Sequence, residues 1–145
     1  MQITKVIEFD AGHRVPNHKS KCRNIHGHRY KCEVMLEGDV IREEGISDEG
    51  MVMDFSDVKR IANDFLDGEF DHGFIAYEGD TEIIEHLKKI KSKLYVVSFI
   101  PTAENLAQHI FEILDIRFTD VYGTGLKLKR IRLWETPTSY ADYTL

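Results

Sequence analysis

An alternating pattern runs through the stretch His26-Gly27-His28-Arg29-Tyr30-Lys31-Cys32-Glu33-Val34-Met35-Leu36-Glu37. Its even-numbered positions hold histidine, tyrosine, cysteine, valine and leucine, whereas its odd-numbered positions are mostly charged. Successive side chains of a β-strand point to opposite faces, so the even-numbered side chains line one face. The stretch therefore predicts a strand that carries His26 and His28 on its apolar face.

The same alternation occurs earlier in the chain, over residues 3–15. One parity there carries Ile3, Ile7, Phe9, Ala11, His13 and Val15. A loop at residues 16–20 separates the two stretches. Two alternating runs joined in this way predict a long antiparallel hairpin with an elaborate connection. If the apolar faces of the two strands are in register, the ring of His13 converges with those of His26 and His28.

The remainder of the chain predicts three helices and further strands. Ser56 is a suitable N-cap for a helix that continues to Leu66, and Thr102, which follows Pro101, is a suitable cap for a second helix. Residues 81–93 predict a third, more polar helix. Strands are predicted at 51–53, 94–99 and 126–135, the last with an imperfect alternation that indicates a bulge. The predicted class is α+β, an antiparallel sheet with helices packed on one face.

Length and composition restrict the kind of protein. The chain has 145 residues, which suits one domain spanning 1–145. Hydrophobic residues make up 42% and charged residues 30%, a globular balance that argues against disorder. The sequence has no apolar run of about eighteen residues and begins without the pattern of a signal peptide. We therefore expect a cytoplasmic protein without a membrane partner.

The charge distribution indicates the kind of ligand. The net charge of −6 argues against a general nucleic-acid binder. Between Ala11 and Cys32, however, the chain holds six basic residues and no Asp or Glu. A cationic segment in an acidic protein favours a site for an anionic ligand. A solvated basic loop is the alternative.

The three histidines of the predicted hairpin suggest a metal centre. Three neutral imidazoles with one open coordination position are typical of catalytic zinc, whereas structural zinc normally has four protein ligands. The alternative is that His13, His26 and His28 are partly buried strand residues, each satisfied by a hydrogen bond.

Cys22 is a candidate catalytic group in the loop of the hairpin. Its neighbours Lys21 and Arg23 carry positive charge, which favours thiolate over thiol. A base or nucleophile, a fourth zinc ligand and an inert loop thiol are the possible roles. Cys32 lies on the apolar face, where packing is expected, and a disulfide is not expected in a cytoplasmic chain of this size.

Two carboxylates complete the set of candidates. Asp71 precedes His72, and a carboxylate that binds an imidazole fixes its tautomer and raises its basicity. A surface loop pair is the alternative reading of that dipeptide. Glu135 ends the last predicted strand, where a recessed carboxylate can accept two hydrogen bonds from an amino-heterocycle. An exposed strand-end acid is the alternative there.

Together these motifs resemble the 6-pyruvoyltetrahydropterin and 6-carboxytetrahydropterin synthase family over nearly the whole chain. They are Phe9-Asp10-Ala11-Gly12-His13, Cys22-Arg23-Asn24-Ile25-His26-Gly27-His28, Gly50-Met51-Val52-Met53-Asp54-Phe55, Asp71-His72, Pro101-Thr102-Ala103-Glu104-Asn105 and Trp134-Glu135. The resemblance implies the tunnelling fold, in which each subunit has a four-stranded antiparallel sheet with two helices on one side. It also implies trimeric barrels that stack in pairs into a homo-hexamer, with active sites between subunits.

The same resemblance implies roles for individual residues. Zinc is implied on the three strand histidines, His13, His26 and His28. The implied catalytic groups are the base and the pair that assists it, Cys22, Asp71 and His72. The implied substrate-binding residues are the pterin anchor and two pocket residues, Glu135, Thr102 and Glu104.

The gap of three residues between Cys22 and His26 resembles the bacterial 6-carboxytetrahydropterin synthases of queuosine biosynthesis. The implied reaction converts 7,8-dihydroneopterin triphosphate to 6-carboxy-5,6,7,8-tetrahydropterin with release of triphosphate and acetaldehyde. A 6-pyruvoyltetrahydropterin synthase, a zinc hydrolase and a non-catalytic zinc-binding oligomeric scaffold are the alternatives.

Overall fold

The computed structural model covers residues 1–145 and contains six strands and three α-helices. In chain order they are β1 (Gln2–His13), β2 (His26–Gly38), α1 (Phe55–Phe65), β3 (Gly73–Tyr77), α2 (Thr81–Lys89), β4 (Leu94–Val97), α3 (Ala103–Tyr122), β5 (Leu126–Thr136) and β6 (Ser139–Thr144). A 3₁₀ turn, Lys21–Arg23, lies in the β1–β2 connection, and a π-helical segment, Leu66–Phe70, follows α1. No helix combines the length and the apolar character needed to cross a bilayer.

The predicted hairpin is confirmed. β1 pairs antiparallel with β2 along its whole length, from Gln2 opposite Glu37 to His13 opposite His26. The inward side chains of both strands belong to one large core, and the fully buried Tyr30 lies within it. Because the register is continuous, the histidine-bearing ends of both strands meet at one end of the sheet.

The sheet is larger than predicted. Its strand order is β4-β3-β1-β2-β5-β6. The four strands β1, β2, β5 and β6 pair antiparallel, but β3 and β4 extend the sheet by parallel pairing next to β1. A four-stranded, purely antiparallel sheet was therefore wrong, because the chain between α1 and α3 forms a β-α-β unit. The sheet of one chain is open, and the barrel assembly stays a prediction.

Helices lie on both faces of the sheet. α1 and α3 pack against the large core through apolar residues such as Ile61 and Ile110. Ile84 of α2 instead clusters with Phe74 and Ala76, which alternate along β3 with Ile75 of the large core. Since alternate strand residues point to opposite faces, α2 covers the other face of β3. The prediction of helices on one face holds for α1 and α3 but was wrong for α2.

Several local predictions needed correction. The N-cap of α1 is Asp54, whose carboxylate accepts a hydrogen bond from the backbone N–H of Ser56 at 2.7 Å. Thr102 caps α3 as predicted. Residues 51–53 form a bend instead of a strand, because the chain turns there into the cap of α1. α2 ends at Lys89 instead of residue 93.

The predicted irregularity of the last strand is confirmed. The pairing of β5 with β2 shifts by one residue between Leu128 and Arg130, and the pairing with β6 shifts between Trp134 and Thr136. The second shift leaves Glu135 without a partner across the β5–β6 ladder. Bulges of this kind redirect side chains beside functional sites.

Candidate active site

The structure brings the three predicted metal ligands together at the end of the hairpin. The ring centroids of His13, His26 and His28 are 4.6 to 5.1 Å apart. One ligand atom from each ring lies within 4.8 Å of the other two. The strand register causes this arrangement, because His13 faces His26 directly and His28 is the next residue on the same face of β2.

Backbone carbonyls fix two of the rings. Nδ1 of His13 lies 2.7 Å from the carbonyl oxygen of Pro101, and Nδ1 of His26 lies 2.6 Å from that of Asn24. A carbonyl oxygen only accepts, so each Nδ1 carries the proton and each Nε2 keeps a free lone pair. This orientation by a hydrogen bond at the other nitrogen is typical of metal-binding histidines.

The environment of the rings fits a metal ion. Nε2 of His13 and Nε2 of His28 are buried and have no hydrogen-bond partner. Burial lowers the pKa of His13 to about 4 and also lowers the pKa of His28, so both rings are neutral near pH 7. The alternative that each ring is satisfied by hydrogen bonds does not hold for these two nitrogens. Three neutral imidazoles are the donor set that zinc prefers in catalytic sites.

The carboxylate of Glu135 faces the same centre. Its Oε2 lies 4.0 Å from Nε2 of His13, and its Oε1 lies 3.8 Å from Nε2 of His28. Glu135 shares the parity of Leu133, which is fully buried in the core, and it stands at the bulge of β5. The strand-end acid is therefore recessed beside the histidines.

A cavity of about 300 Å³ opens beside the cluster. It is lined by six of the predicted site residues, His13, His26, Cys22, Thr102, Glu104 and Glu135. The 3₁₀ turn brings the half-buried Cys22 to this cavity, while the start of α3 contributes Thr102 and Glu104. Residues from four separate segments of the chain thus surround one space.

Asp71 and His72 lie outside that cavity. Nδ1 of His72 donates to Oδ2 of Asp71 at 2.8 Å, so the predicted pair forms. His72 lines a second cavity of about 470 Å³ together with Asp10, His28 and Arg29. No residue lines both cavities. Within one chain, the structure does not bring the Asp71–His72 pair to the cavity that contains Cys22.

The Asp71–His72 pair is held rigidly by the backbone. The amide of Asp10 donates to Oδ1 of Asp71 at 2.9 Å, and the amide of His72 donates to the carbonyl of Asp10 at 2.7 Å. The Asp10 amide and the His72 ring lower the pKa of Asp71. The ammonium group of Lys93 donates to the carbonyls of Asp67 and Asp71 at 3.0 and 2.6 Å. His72 has a φ of 60°, a left-handed conformation that non-glycine residues adopt at a cost.

Three site residues were missed or underrated from the sequence. Tyr30 lies beneath the cluster, with its hydroxyl 3.4 Å from Nδ1 of His13, and burial raises its pKa. His18 of the β1–β2 connection lines the first cavity, as does Tyr140 of β6. The even-numbered pattern of β2 already placed Tyr30 on the histidine face. The short, polar β6 gave no comparable signal for Tyr140.

This fold and site define a class, an α+β protein with an accessible three-histidine centre bordered by a thiol and carboxylates. The sequence profile of the 6-pyruvoyl tetrahydropterin synthase family matches residues 2–145. The chain belongs to this family.

Curated relatives cover nearly the same length. A 6-carboxy-5,6,7,8-tetrahydropterin synthase of Haemophilus influenzae is 38% identical over 145 residues, which are 98% of this chain and 97% of that protein. The protein of the same name from Aquifex aeolicus is 34% identical, with 98% and 96% covered. The similarity therefore extends over whole proteins.

Solved structures share the fold. A protein of uncharacterised function from Wolinella succinogenes has a TM-score of 0.80 and 27% identity, covering 99% of this chain and 97% of its own. The 6-pyruvoyl tetrahydropterin synthase of Caenorhabditis elegans has a TM-score of 0.68 and 25% identity, covering 100% of this chain and 95% of its own.

Proposed function

We propose that this chain is a 6-carboxy-5,6,7,8-tetrahydropterin synthase of queuosine biosynthesis. It is a lyase that converts 7,8-dihydroneopterin triphosphate to 6-carboxy-5,6,7,8-tetrahydropterin, triphosphate and acetaldehyde. The observation that carries the proposal is the cavity in which His13 and His26 of the three-histidine centre meet Cys22 and Glu135. The names of the relatives at 34 to 38% identity support the reaction.

Zinc is the cofactor that the donor set favours. His13, His26 and His28 would hold it, and the orphaned Nε2 atoms of His13 and His28 support this assignment. A zinc ion bound there supplies a Lewis acid that stabilises negative charge on a substrate oxygen. The protein's own contribution is to keep His13 and His28 neutral through burial and to orient the rings of His13 and His26 through backbone carbonyls.

Cys22 is the proposed catalytic base. Its half-buried thiol borders the cavity, where it can take a proton from a C–H group of the substrate side chain. The other thiol is unsuited to this role, because Cys32 is fully buried and burial raises its pKa to about 12.

Glu135 is the proposed anchor for the pterin ring. Glu135 lines the cavity, and a carboxylate can accept two hydrogen bonds from an amino-heterocycle. The oxygen of Thr102 accepts from the amide of Asn105 at 3.4 Å, which leaves its hydroxyl hydrogen free to donate to a ligand. Glu104 follows in the first turn of α3 and lines the same cavity.

The separation of the two cavities supports an active site between subunits. In this arrangement, Cys22 of one subunit works with Asp71 and His72 of a neighbour in the proposed homo-hexamer. His72, oriented by the Asp71 carboxylate, then returns a proton to the substrate. The exposure of His72 in the single chain leaves it accessible to a second subunit.

Basic residues near Cys22 favour binding of the substrate triphosphate there. Lys19, Lys21 and Arg23 are exposed on the loop that carries the thiol. Cations beside the mouth of a cavity raise the local concentration of a polyanionic substrate. Cys22 therefore lies next to positive charge that can attract the triphosphate of the substrate.

Incubation of zinc-loaded protein with dihydroneopterin triphosphate tests the reaction, with mass spectrometry of the pterin product and an assay for acetaldehyde. We expect 6-carboxytetrahydropterin and acetaldehyde in equal amounts. A pyruvoyl product without acetaldehyde would identify the pyruvoyl-forming activity named by the family profile. Absence of any pterin product would leave the hydrolase and the non-catalytic scaffold.

A further inference from the structure

Arg14 connects the metal-site strand to two other parts of the chain. It directly follows His13 at the end of β1. Its Nε and Nη2 donate to the two carboxylate oxygens of Asp80 at 2.6 and 3.3 Å. Its Nη1 donates to the carbonyl of Arg23 at 3.1 Å. One guanidinium group therefore links the start of α2 to the residue that follows Cys22.

The side chain of Asp80 binds Arg14 instead of capping its own helix. Asp80 occupies the N-cap position of α2, where an aspartate normally accepts hydrogen bonds from the first helical amides. Its side chain makes no such bond here. The carboxylate is only 8% exposed, and Arg14 is its partner. α2 thus forgoes the stabilisation that a capping carboxylate usually provides.

A backbone hydrogen bond also holds the segment that carries the thiol. We call this segment, residues 14–25, the Cys22 loop. The amide of Val15 donates to the carbonyl of Cys22 at 2.9 Å, next to the Arg14–Arg23 contact. The carbonyl of Asn24, one residue further, holds the ring of His26. The position of Cys22 relative to the histidines therefore depends on these contacts of the Cys22 loop. Arg14 connects them to the start of α2.

We propose that Arg14 and Asp80 form a clamp that positions Cys22 against the three-histidine centre, an inference that rests on the proposed role of Cys22 as catalytic base. Arg14 and Asp80 act as positioning residues, because neither of them lines the cavity that contains Cys22. The fork geometry is essential, because lysine keeps the charge and has three donors but carries them on one nitrogen, whereas Arg14 uses three separate nitrogens to reach both carboxylate oxygens and the carbonyl.

The test uses the full-length, zinc-loaded protein with the variants Arg14→Lys, Asp80→Asn and the double variant. The rate of Cys22 alkylation by iodoacetamide is followed by peptide mass spectrometry, and the buried Cys32 of the same chain is the unreactive reference. Arg117→Lys is the matched control, since it alters another arginine–carboxylate pair, with Asp64, between α1 and α3.

We expect alkylation of Cys22 to be about threefold faster in both single variants, because the loop opens more often. We expect kcat to fall about tenfold while KM changes less than about threefold, because the base is misplaced but the pterin anchor is not. Arg117→Lys should change neither quantity. The double variant should resemble the stronger single variant, since both substitutions break one contact.

Unchanged alkylation of Cys22 in Arg14→Lys and Asp80→Asn would overturn the clamp, and so would effects that multiply in the double variant. Circular dichroism and zinc content establish that each variant is folded and loaded. If the wild-type protein forms no pterin product, the proposed function fails, but the alkylation rates still decide whether the clamp exists.

Discussion

At the scale of single residues, the two cysteines show how position determines chemistry. Cys22 lies on a 3₁₀ turn at the edge of the cavity, half-buried. Cys32 lies on the same strand as His26 and His28 but further into the core, where it is fully buried. Burial disfavours the thiolate, so Cys32 serves packing alone. The sequence predicted both locations, because strand parity separates a core position from a loop position.

Replacing Cys22 by alanine is therefore expected to lower product formation at least about hundredfold, the usual effect of losing a general base. The metal content per chain should not change, because Cys22 is outside the histidine set. Cys32→Ala is the matched control and should retain turnover. Product analysis by mass spectrometry and elemental analysis of zinc provide the two measurements. Undiminished turnover in Cys22→Ala would remove Cys22 from the mechanism.

At the scale of elements, the sequence predicts the helix α1 but not which residue forms its N-cap. Asp54 and Ser56 are both good N-cap residues by type, so residue type does not decide between them, and the prediction of Ser56 was wrong. The structure resolves the choice through backbone conformation, since Asp54 is extended and its carboxylate accepts from the amide and hydroxyl of Ser56, each at 2.7 Å.

Asp54→Ala is accordingly expected to lower the free energy of unfolding by about 1 kcal/mol, because the first turn of α1 loses its acceptor. Ser56→Ala removes only the hydroxyl and should cost clearly less. Urea denaturation followed by circular dichroism measures both values. A larger loss in Ser56→Ala than in Asp54→Ala would contradict the assignment of the cap.

Two strands, β3 and β6, were not predicted from the sequence, for opposite physical reasons. β3 is covered on one face by α2 and on the other by the large core, so Gly73–Ala76 are all buried and show no alternation. A strand buried on both faces cannot be recognised from a period of two. β6 is short, mostly exposed and polar, so its hydrophobic signal is weak. The β1–β2 hairpin was predictable because one face is buried and the other is charged.

The contact between α3 and β4 makes stability depend on pH. His109 of α3 lies 2.9 Å from the hydroxyl of Tyr95 and packs against Phe99, and burial lowers the pKa of His109. The unfolded chain then binds more protons than the folded chain below about pH 6.5, the ordinary pKa of histidine. The contribution of His109 is complete above that pH and declines as the pH falls.

His109→Gln should consequently lose less stability than the wild type between pH 7.5 and pH 5. Both proteins retain His13 and His28, so the difference between their unfolding free energies isolates His109. Urea denaturation of both proteins in the same metal-free state at each pH provides the comparison. Parallel curves for the two proteins would show that His109 does not titrate differently in the folded state.

At the scale of the whole molecule, the predicted site residues lie around two separate cavities. The hairpin ends, α3 and β5 gather His13, His26, Cys22 and Glu135 around one cavity, whereas His28 and His72 border another. The family resemblance assigned all these residues to one kind of site, but motif spacing carries no information about which of them share a cavity within one chain. The order of the motifs was sufficient for the family, whereas the separation of the cavities required coordinates.

The division leads to a test of assembly by complementation. Cys22→Ala and His72→Ala should each be inactive alone, but subunits mixed at equal amounts should recover about one quarter of wild-type turnover. The reason is that an active site between subunits is intact when an unaltered Cys22 meets an unaltered His72, each with a chance of about one half in a symmetric oligomer. Coexpression with two different affinity tags isolates the mixed oligomers, and light scattering measures their size. A mixed oligomer without recovered activity would place Cys22 and His72 in one subunit's site or remove one of them from catalysis.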